Sequence, residues 1–343
     1  MIKKSCDSRA DNSVPAYSEK RREAAAAAES DMNRAKIGAR VYLIMVSVVI
    51  GVSLLLGLIG VGRLLNVYSD TSLSELLYLA PVVVILVQGR FEILRGMKLK
   101  PVNILTILWT MLFAALLVPL CILLNLLTQF LVPNVVADMF SSISRMPLLL
   151  NLLYCACLPA LVEEYLFRGV FYQYFRPYGL LKTALVTGLM FGLAHLNLNQ
   201  FLYAFAIGIF FTFLKDASGS LFACMLAHTV VNGLNVLAQY IITLNLPENV
   251  TSAMVEAQSE TASVSGLSLI YWILLTAVAT AGVILAIIVM RQIAKTCGRE
   301  KVFSEAAKGR DRRRGKEGKL FSVELIIGFA LPLIYMGFRL LLH

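Results

Sequence analysis

Three ionisable residues interrupt a long apolar stretch in the middle of the chain, LLLNLLYCACLPALVEEYLFRGVFYQYF at residues 148–175. They are Glu163, Glu164 and Arg168. A stretch of this length is typical of a membrane helix, in which an ionised side chain costs a few kcal/mol and usually faces a partner or a wet cavity. Glu164 and Arg168 are four residues apart with the acid first, the favourable order for a helical ion pair. Glu163 points about 100° away from Glu164 and is left without that partner.

The two non-terminal histidines, His195 and His228, also lie in apolar stretches. Phe191 precedes His195 by four residues, so its ring can cover the same helix face and exclude water or lipid. Asn232 follows His228 by four residues, which places an imidazole and a carboxamide on one face. Two such groups aimed at one point can donate hydrogen bonds to a developing oxyanion.

Together these side chains predict attack of water on an amide carbonyl. Glu163 could act as general base toward the water, and His195 could orient that water or share its proton. The competing interpretation is structural: if the helix ended near Leu161, the three charges would lie among lipid headgroups, and a lone intramembrane histidine often only bonds a neighbouring helix. Two histidines and an unpaired acid in a chain so poor in polar residues favour a single site.

These residues form three motifs in order along the chain: EExxxR at 163–168, FxxxH at 191–195 and HxxxN at 228–232. In this respect the chain resembles the CPBP family, which comprises CAAX prenyl endopeptidases of the Rce1 type and bacterial bacteriocin-processing or immunity proteins, often called Abi. The resemblance covers residues 147–243. It implies an intramembrane endopeptidase whose substrate is a membrane-associated peptide or protein, such as a CAAX tail, a bacteriocin leader or a signalling peptide.

The resemblance also implies roles for the motif residues. Glu163 and His195 would activate the water, His228 and Asn232 would bind the oxyanion, and Glu164 with Arg168 would be the supporting pair. Glu163, His195 and His228 could supply three ligands to Zn²⁺, the number typical of a catalytic zinc site. The chain has no HExxH motif, which excludes the usual helical zinc-protease site. A Zn²⁺ cofactor and a metal-independent mechanism both remain open.

The composition predicts the environment of this site. Hydrophobic residues make up 58% of the 343 residues and charged residues only 15%, too few polar groups for a soluble globule. The apolar residues form nine blocks of helix-spanning length, and the expected fold is an all-α polytopic membrane helix bundle of about eight to nine transmembrane helices with a CPBP-like four-helix catalytic core. We expect four parts: a polar cytoplasmic tail at 1–40, N-terminal spans at 41–146, the CPBP-like core at 147–243, and C-terminal spans at 244–343.

Straight spans would not bring Glu163, His195 and His228 to one depth in the membrane. Either the fourth helix continues to about Phe175, or the fifth span is tilted and its polar turn at residues 197–200 lies inside the protein, and we expect both.

The charges predict an orientation. Residues 291–319 hold eleven Lys or Arg and four Asp or Glu, which accounts for most of the net charge of +10. A basic loop beside a membrane anchors topology and attracts anionic lipid, so no nucleic-acid partner is expected. Basic and non-basic segments alternate along the chain, which predicts a multi-pass membrane protein whose N-terminus lies in the cytoplasm. The expected location is a bacterial plasma membrane. By this assignment only Glu163, Glu164 and Arg168 lack a position in water, and Glu75 belongs to an outer segment.

Other classes fit the residues less well. The nearest string to a rhomboid-type GxSG is Asp216–Gly219, which lacks the first glycine and reads as a turn in a short loop. An aspartyl protease needs two intramembrane aspartates, and the apolar blocks contain none. A proton-coupled transporter could use the same acids and histidines, although no internal repeat is visible. A non-hydrolytic immunity or regulatory scaffold is the remaining alternative, and nothing in the sequence indicates the oligomeric state.

Overall fold

The computed structural model describes residues 13–61, 67–87, 97, 99–132, 147–245, 268–309 and 320–341. Within these ranges the chain forms helices and no strand, which confirms the all-α bundle. The helices are α1 (Ser13–Leu58), α2 (Val67–Tyr78), α3 (Ala80–Val87), α4 (Ile104–Thr128), α5 (Leu148–Tyr178), α6 (Leu180–Ala194), α7 (Leu198–Ser218), α8 (Leu221–Asn245), α9 (Leu269–Thr296), α10 (Glu300–Ala307) and α11 (Val323–Leu341).

Eight helical segments in the described ranges are long and apolar enough to cross a membrane. The remaining apolar block, at residues 180–197, forms the shorter helix α6, so the expected count of eight to nine is confirmed. The second span, Tyr68–Val87, consists of α2 and α3 with a break at Leu79. Leu, Ile and Val side chains remain exposed on the outer faces of α4, α9 and α11, as expected for surfaces that face lipid. The molecule is therefore an integral, multi-pass membrane protein.

Three segments expected to be polar tail or loop are helical. Helix α1 begins at Ser13, so the tail at 1–40 and the first span are largely one continuous helix. The basic segment at 291–319 begins as the last turns of α9 and then forms α10; its residues 310–319 lie outside the described ranges. Asp216–Gly219 is the last turn of α7 and its cap, in which the Ser218 hydroxyl donates to the Leu214 carbonyl and Gly219 adopts a φ of +68°.

Helix α5 carries the EExxxR motif and is not a regular α-helix. It contains two π-helical segments, Leu153–Cys157 and Tyr165–Phe171. Pro159 follows the first segment and lacks the N–H that a regular helix would bond to residue 155, so the local wider turn is expected there. The helix continues past Phe175 into a short 3₁₀ turn at Arg176–Tyr178, which confirms the predicted extension.

Helices α6 and α7 form a tight hairpin that fixes the FxxxH motif. Gly188 and Gly208 face each other at the crossing, where a Cβ added to Gly208 would lie 2.6 Å from the Gly188 Cα. The hydroxyls of Thr187 and Thr212 are hydrogen-bonded across the same contact at 2.9 Å. Small residues allow this close backbone approach in a membrane bundle. The hairpin therefore fixes the last turn of α6, after which His195 follows.

The core consists of two apolar clusters on either side of α5 and the hairpin. One cluster joins α1, α5 and α6, and the other joins α4, α7, α8 and α9. In the second cluster α9 packs along α4 at Gly282, where an added Cβ would clash with the Leu116 carbonyl. The motif-bearing helices meet between the two clusters.

Candidate active site

The predicted ion pair forms in the centre of the molecule. The Arg168 Nη1 donates to Glu164 Oε1 at 2.9 Å, and both side chains are completely buried. The Arg168 Nη2 donates to the Gly208 carbonyl at 3.1 Å, and the guanidinium lies 4.5 Å from the ring centre of Phe191 and 5.5 Å from that of Phe211. These contacts hold the arginine in a fixed position between the two apolar clusters.

His228 connects this pair to Glu163. Its Nδ1 lies 2.9 Å from Glu164 Oε1, within hydrogen-bond distance, and its Nε2 lies 3.7 Å from Glu163 Oε2. Glu163 lacks the Arg168 partner, as expected, and is approached instead by His228, because α8 brings this residue between the two adjacent carboxylates. A one-helix pattern could not show this contact, since the residues are more than sixty positions apart.

His195 lies at the end of α6, beside the same group. Its Nδ1 is 2.8 Å from the Phe191 carbonyl, which fixes the ring and leaves Nε2 for other contacts. The Phe191 ring packs edge-to-face against both imidazoles, 4.9 Å from His195 and 5.9 Å from His228 between ring centres. Phe191 therefore lies against both imidazoles and lines the same cavity as they do.

The turn after His195 lies inside the protein, as expected. Asn199 is fully buried, and its side chain accepts from the Asn125 side-chain amide at 3.2 Å. The Thr128 hydroxyl donates to the Asn199 carbonyl at 3.1 Å. Helix α4 therefore bonds the polar groups of Asn199, and His195 lines the same cavity as Glu163.

Asn232 is positioned by the first π-helical segment. Its Nδ2 donates to the Cys155 carbonyl at 3.3 Å. The carboxamide N–H₂ has two protons, so this bond orients the group and leaves a second N–H for another acceptor.

Five of the predicted residues line one cavity of about 610 Å³: Glu163, Phe191, His195, His228 and Asn232. Glu164 and Arg168 do not line it and lie behind His228, in keeping with a supporting role. The remaining walls come from α2, α4, α7, α8 and α9 and include the amides of Asn125, Gln129, Gln200, Asn235 and Gln239. The cavity thus combines an apolar floor with convergent polar groups, the usual character of a binding site.

The sequence interpretation missed the contribution of α2. Glu75, assigned to an outer segment, is 5% exposed and lines the cavity together with Asp70 and Tyr78. The Tyr78 hydroxyl donates to the Ala194 carbonyl at 2.6 Å, one residue before His195. Glu75 lies near the start of an apolar block in the sequence, and this position could have indicated that its side chain is buried.

The statement that only three charged residues lack a position in water is also wrong. Arg176 and Asp216 are buried and joined by Nη2 and Oδ1 at 3.1 Å, and Tyr172 donates to the same oxygen at 2.8 Å. This network lies at the far end of α5 and does not line the cavity.

The site does not provide a ready metal centre. Among the described residues, no group of three His, Cys, Asp or Glu is arranged to hold a metal ion. The Nδ1 atoms of His195 and His228 are engaged by Phe191 and Glu164, which leaves the Nε2 atom of each ring as the one that could bind a ligand. The Zn²⁺ cofactor therefore stays a prediction, and no step below depends on a metal.

Residues 145–234 match the family of type II CAAX prenyl endopeptidase Rce1-like proteins. The match covers about a quarter of the chain, contains all three motifs and confirms the resemblance inferred for this region. No match to the chain was found among curated proteins or among solved structures.

Proposed function

We propose that the protein is an intramembrane endopeptidase that hydrolyses a peptide bond of a membrane-associated peptide or protein. The observation that carries this proposal is the convergence of Glu163, His195, His228 and Asn232 on one cavity within a membrane bundle. The Rce1-like match of the same region independently supports a protease of CAAX type.

In the proposed reaction Glu163 removes a proton from a water molecule in the cavity while the water oxygen attacks the substrate carbonyl carbon. A C–O bond forms and the carbonyl oxygen becomes an oxyanion. Glu163 then passes its proton to the amide nitrogen, and the C–N bond breaks to release a carboxyl terminus and an amine. His195 holds the water through Nε2, since its Nδ1 is engaged by the Phe191 carbonyl.

The oxyanion accepts hydrogen bonds from His228 and Asn232 in this proposal. Asn232 has an N–H left after its bond to Cys155. His228 donates through Nε2, which requires a doubly protonated ring because Nδ1 faces Glu164. The negative charge of Glu164 supports that ring, and Arg168 keeps Glu164 in place. The burial of Glu164, Arg168 and His228 strengthens these interactions.

The proposal includes a bacterial plasma-membrane location with the N-terminus in the cytoplasm. The alternation of basic and non-basic loops supports this orientation. Residues 291–319, strongly basic, then contact anionic lipid on the cytoplasmic side. The substrate is a membrane-associated chain whose scissile bond reaches the cavity.

The experiment compares cells that express the wild-type protein with cells that express Glu163→Gln. Membrane peptides are measured by mass spectrometry, and a substrate is a chain that accumulates uncleaved in the variant. Glu324→Gln is the matched control, because Glu324 pairs with Arg40 on the outside of the bundle and does not line the cavity. The accumulating peptide is then incubated with purified wild-type protein, which should cut it at one position.

Two outcomes would overturn the proposal. Equal peptide profiles for wild type and Glu163→Gln, with both proteins folded, would favour the scaffold alternative. Cleavage by purified Glu163→Gln at the wild-type rate would exclude Glu163 as the base. A chelator titration of the purified protein separates a metal-dependent from a metal-independent reaction.

A further inference from the structure

Helix α2 lies outside the Rce1-like region but presents one continuous face to the cavity. Its cavity-lining residues are Asp70, Thr71, Ser74, Glu75 and Tyr78, spaced as one helix face. Both ends of this face are fixed. The Tyr68 hydroxyl donates to Asn151 Oδ1 of α5 at 2.6 Å, and the Tyr78 hydroxyl donates to the Ala194 carbonyl of α6 at 2.6 Å. Glu75 is therefore held at a defined position opposite the motif residues.

Glu75 has no partner for its charge. Its Oε2 is buried and makes no hydrogen bond with any described residue, and the side chain is only 5% exposed. Glu164 differs, because Arg168 and His228 both contact its Oε1. An unpaired carboxylate at membrane depth costs several kcal/mol, and a complementary group that enters the cavity would offset this cost.

The charges of the cavity define that group. Asp70, Glu75 and Glu163 contribute three carboxylates, and none of the described lining residues is Lys or Arg. Asp70 is exposed and Glu75 is buried, so the acids lead from the solvent side into the interior. Three carboxylates against the one imidazolium proposed for His228 give the lining a net negative charge, which attracts a positive group.

We propose that Glu75, assisted by Asp70, binds the ammonium or guanidinium group of a basic residue in the peptide substrate, close to the scissile bond. This inference rests on the proposed function for its use in cleavage, but the binding itself can be measured separately. The enzyme therefore selects a bond beside a Lys or Arg over one between apolar residues.

The test uses an apolar peptide of about 20 residues, acetylated and amidated, with either one Lys or one norleucine at its centre. Binding is measured in lipid nanodiscs with the full-length His195→Ala variant, which prevents turnover and keeps all three carboxylates. The Lys peptide should bind about tenfold or more tightly than the norleucine peptide. Adding Glu75→Gln should bring this ratio close to one, whereas Glu75→Asp should retain part of it.

Glu324→Gln serves as the control, since it makes the same chemical change on the outer surface and should keep the tenfold ratio. Equal binding of the Lys and norleucine peptides to folded protein would overturn the inference, as would a ratio that survives Glu75→Gln. If the Lys preference is found and the wild-type protein cleaves no peptide, the proposed function fails and the cation site stands.

Discussion

Two buried charge networks lie on α5, and they differ in what they leave exposed to the cavity. At the far end of the helix, Arg176 and Tyr172 both bond to Asp216 Oδ1, and Arg299 donates to the Asp216 carbonyl at 2.8 Å. This network ties α5, α7 and the start of α10 together and does not line the cavity. The side chains of this network interact with one another and not with the cavity.

The network in the middle of α5 is built differently. Glu164 is matched by Arg168 and His228, but the adjacent Glu163 has only the 3.7 Å contact with His228 and faces the cavity. Burial and pairing are therefore common to both networks, and they do not by themselves mark an active site. The second network differs because it contains an acid, Glu163, that the fold holds in position without a close hydrogen-bond partner among the described residues.

The largest expected effect separates the two networks by activity. Glu163→Gln should lower kcat by about 10²–10⁴-fold, because it removes the general base. It should change the melting temperature little, since the only polar contact of Glu163 with described residues is long. Steady-state kinetics and thermal unfolding in nanodiscs measure both quantities. A kcat within threefold of wild type would contradict the functional difference between the two charge networks.

The second effect concerns the support of the site. Arg168→Met removes one partner of a completely buried pair and should destabilise the fold by about 3–5 kcal/mol. Activity should fall as well, because Glu164 would no longer be held against His228. Unfolding in denaturant and kcat are measured on the same preparation. Full activity at reduced stability would show that the pair only holds the helices together.

The third effect tests the structural network. Asp216→Asn keeps an oxygen acceptor and loses the charge that faces Arg176, so we expect a loss of about 1.5–3 kcal/mol in unfolding free energy. The kcat of the folded protein should stay at the wild-type value, since Asp216 does not line the cavity. A selective loss of kcat without a loss of stability would assign Asp216 to the site instead.

The fourth effect probes the hairpin that connects the networks. Gly208→Ala would place a Cβ 2.6 Å from the Gly188 Cα, and overpacking of this kind costs about 1–3 kcal/mol. The Gly208 carbonyl accepts from Arg168, so the displacement should also reduce kcat. Gly337→Ala is the control, because nothing lies within 4 Å of its added Cβ, and it should have no comparable effect.

The smallest effect concerns α2. Tyr78→Phe removes the hydroxyl that donates to the Ala194 carbonyl and should cost about 0.5–1.5 kcal/mol. The loss of this anchor should change KM more than kcat, because α2 contributes to the wall of the cavity and not to the reacting groups. A pure decrease in kcat would place Tyr78 closer to the chemistry.

The sequence predicted the parts of the site that depend on local spacing. The i, i+4 pair of Glu164 and Arg168 forms as expected, and Phe191 covers His195 because both occupy one face of α6. The apolar blocks also predicted the helices, since a membrane requires about 20 apolar residues per span. These features are encoded within single helices.

Contacts between helices could not be predicted in the same way. The approach of His228 to both glutamates depends on how α8 packs against α5, and the role of Asn199 depends on amide and hydroxyl groups of α4. Glu75 was misassigned because charge counting places an acid near the end of an apolar block in water. Whether such an acid faces solvent or a cavity is decided by the neighbouring helices, which one sequence does not specify.

The most direct test of the central claim is peptide cleavage by the purified protein in H₂¹⁸O. The substrate is the peptide that accumulates with Glu163→Gln, and mass spectrometry records the new carboxyl terminus. We predict one ¹⁸O atom in that carboxyl group with wild-type protein and no product above background with Glu163→Gln. Equal product from the two proteins, or product without ¹⁸O, would contradict hydrolysis by water activated at Glu163.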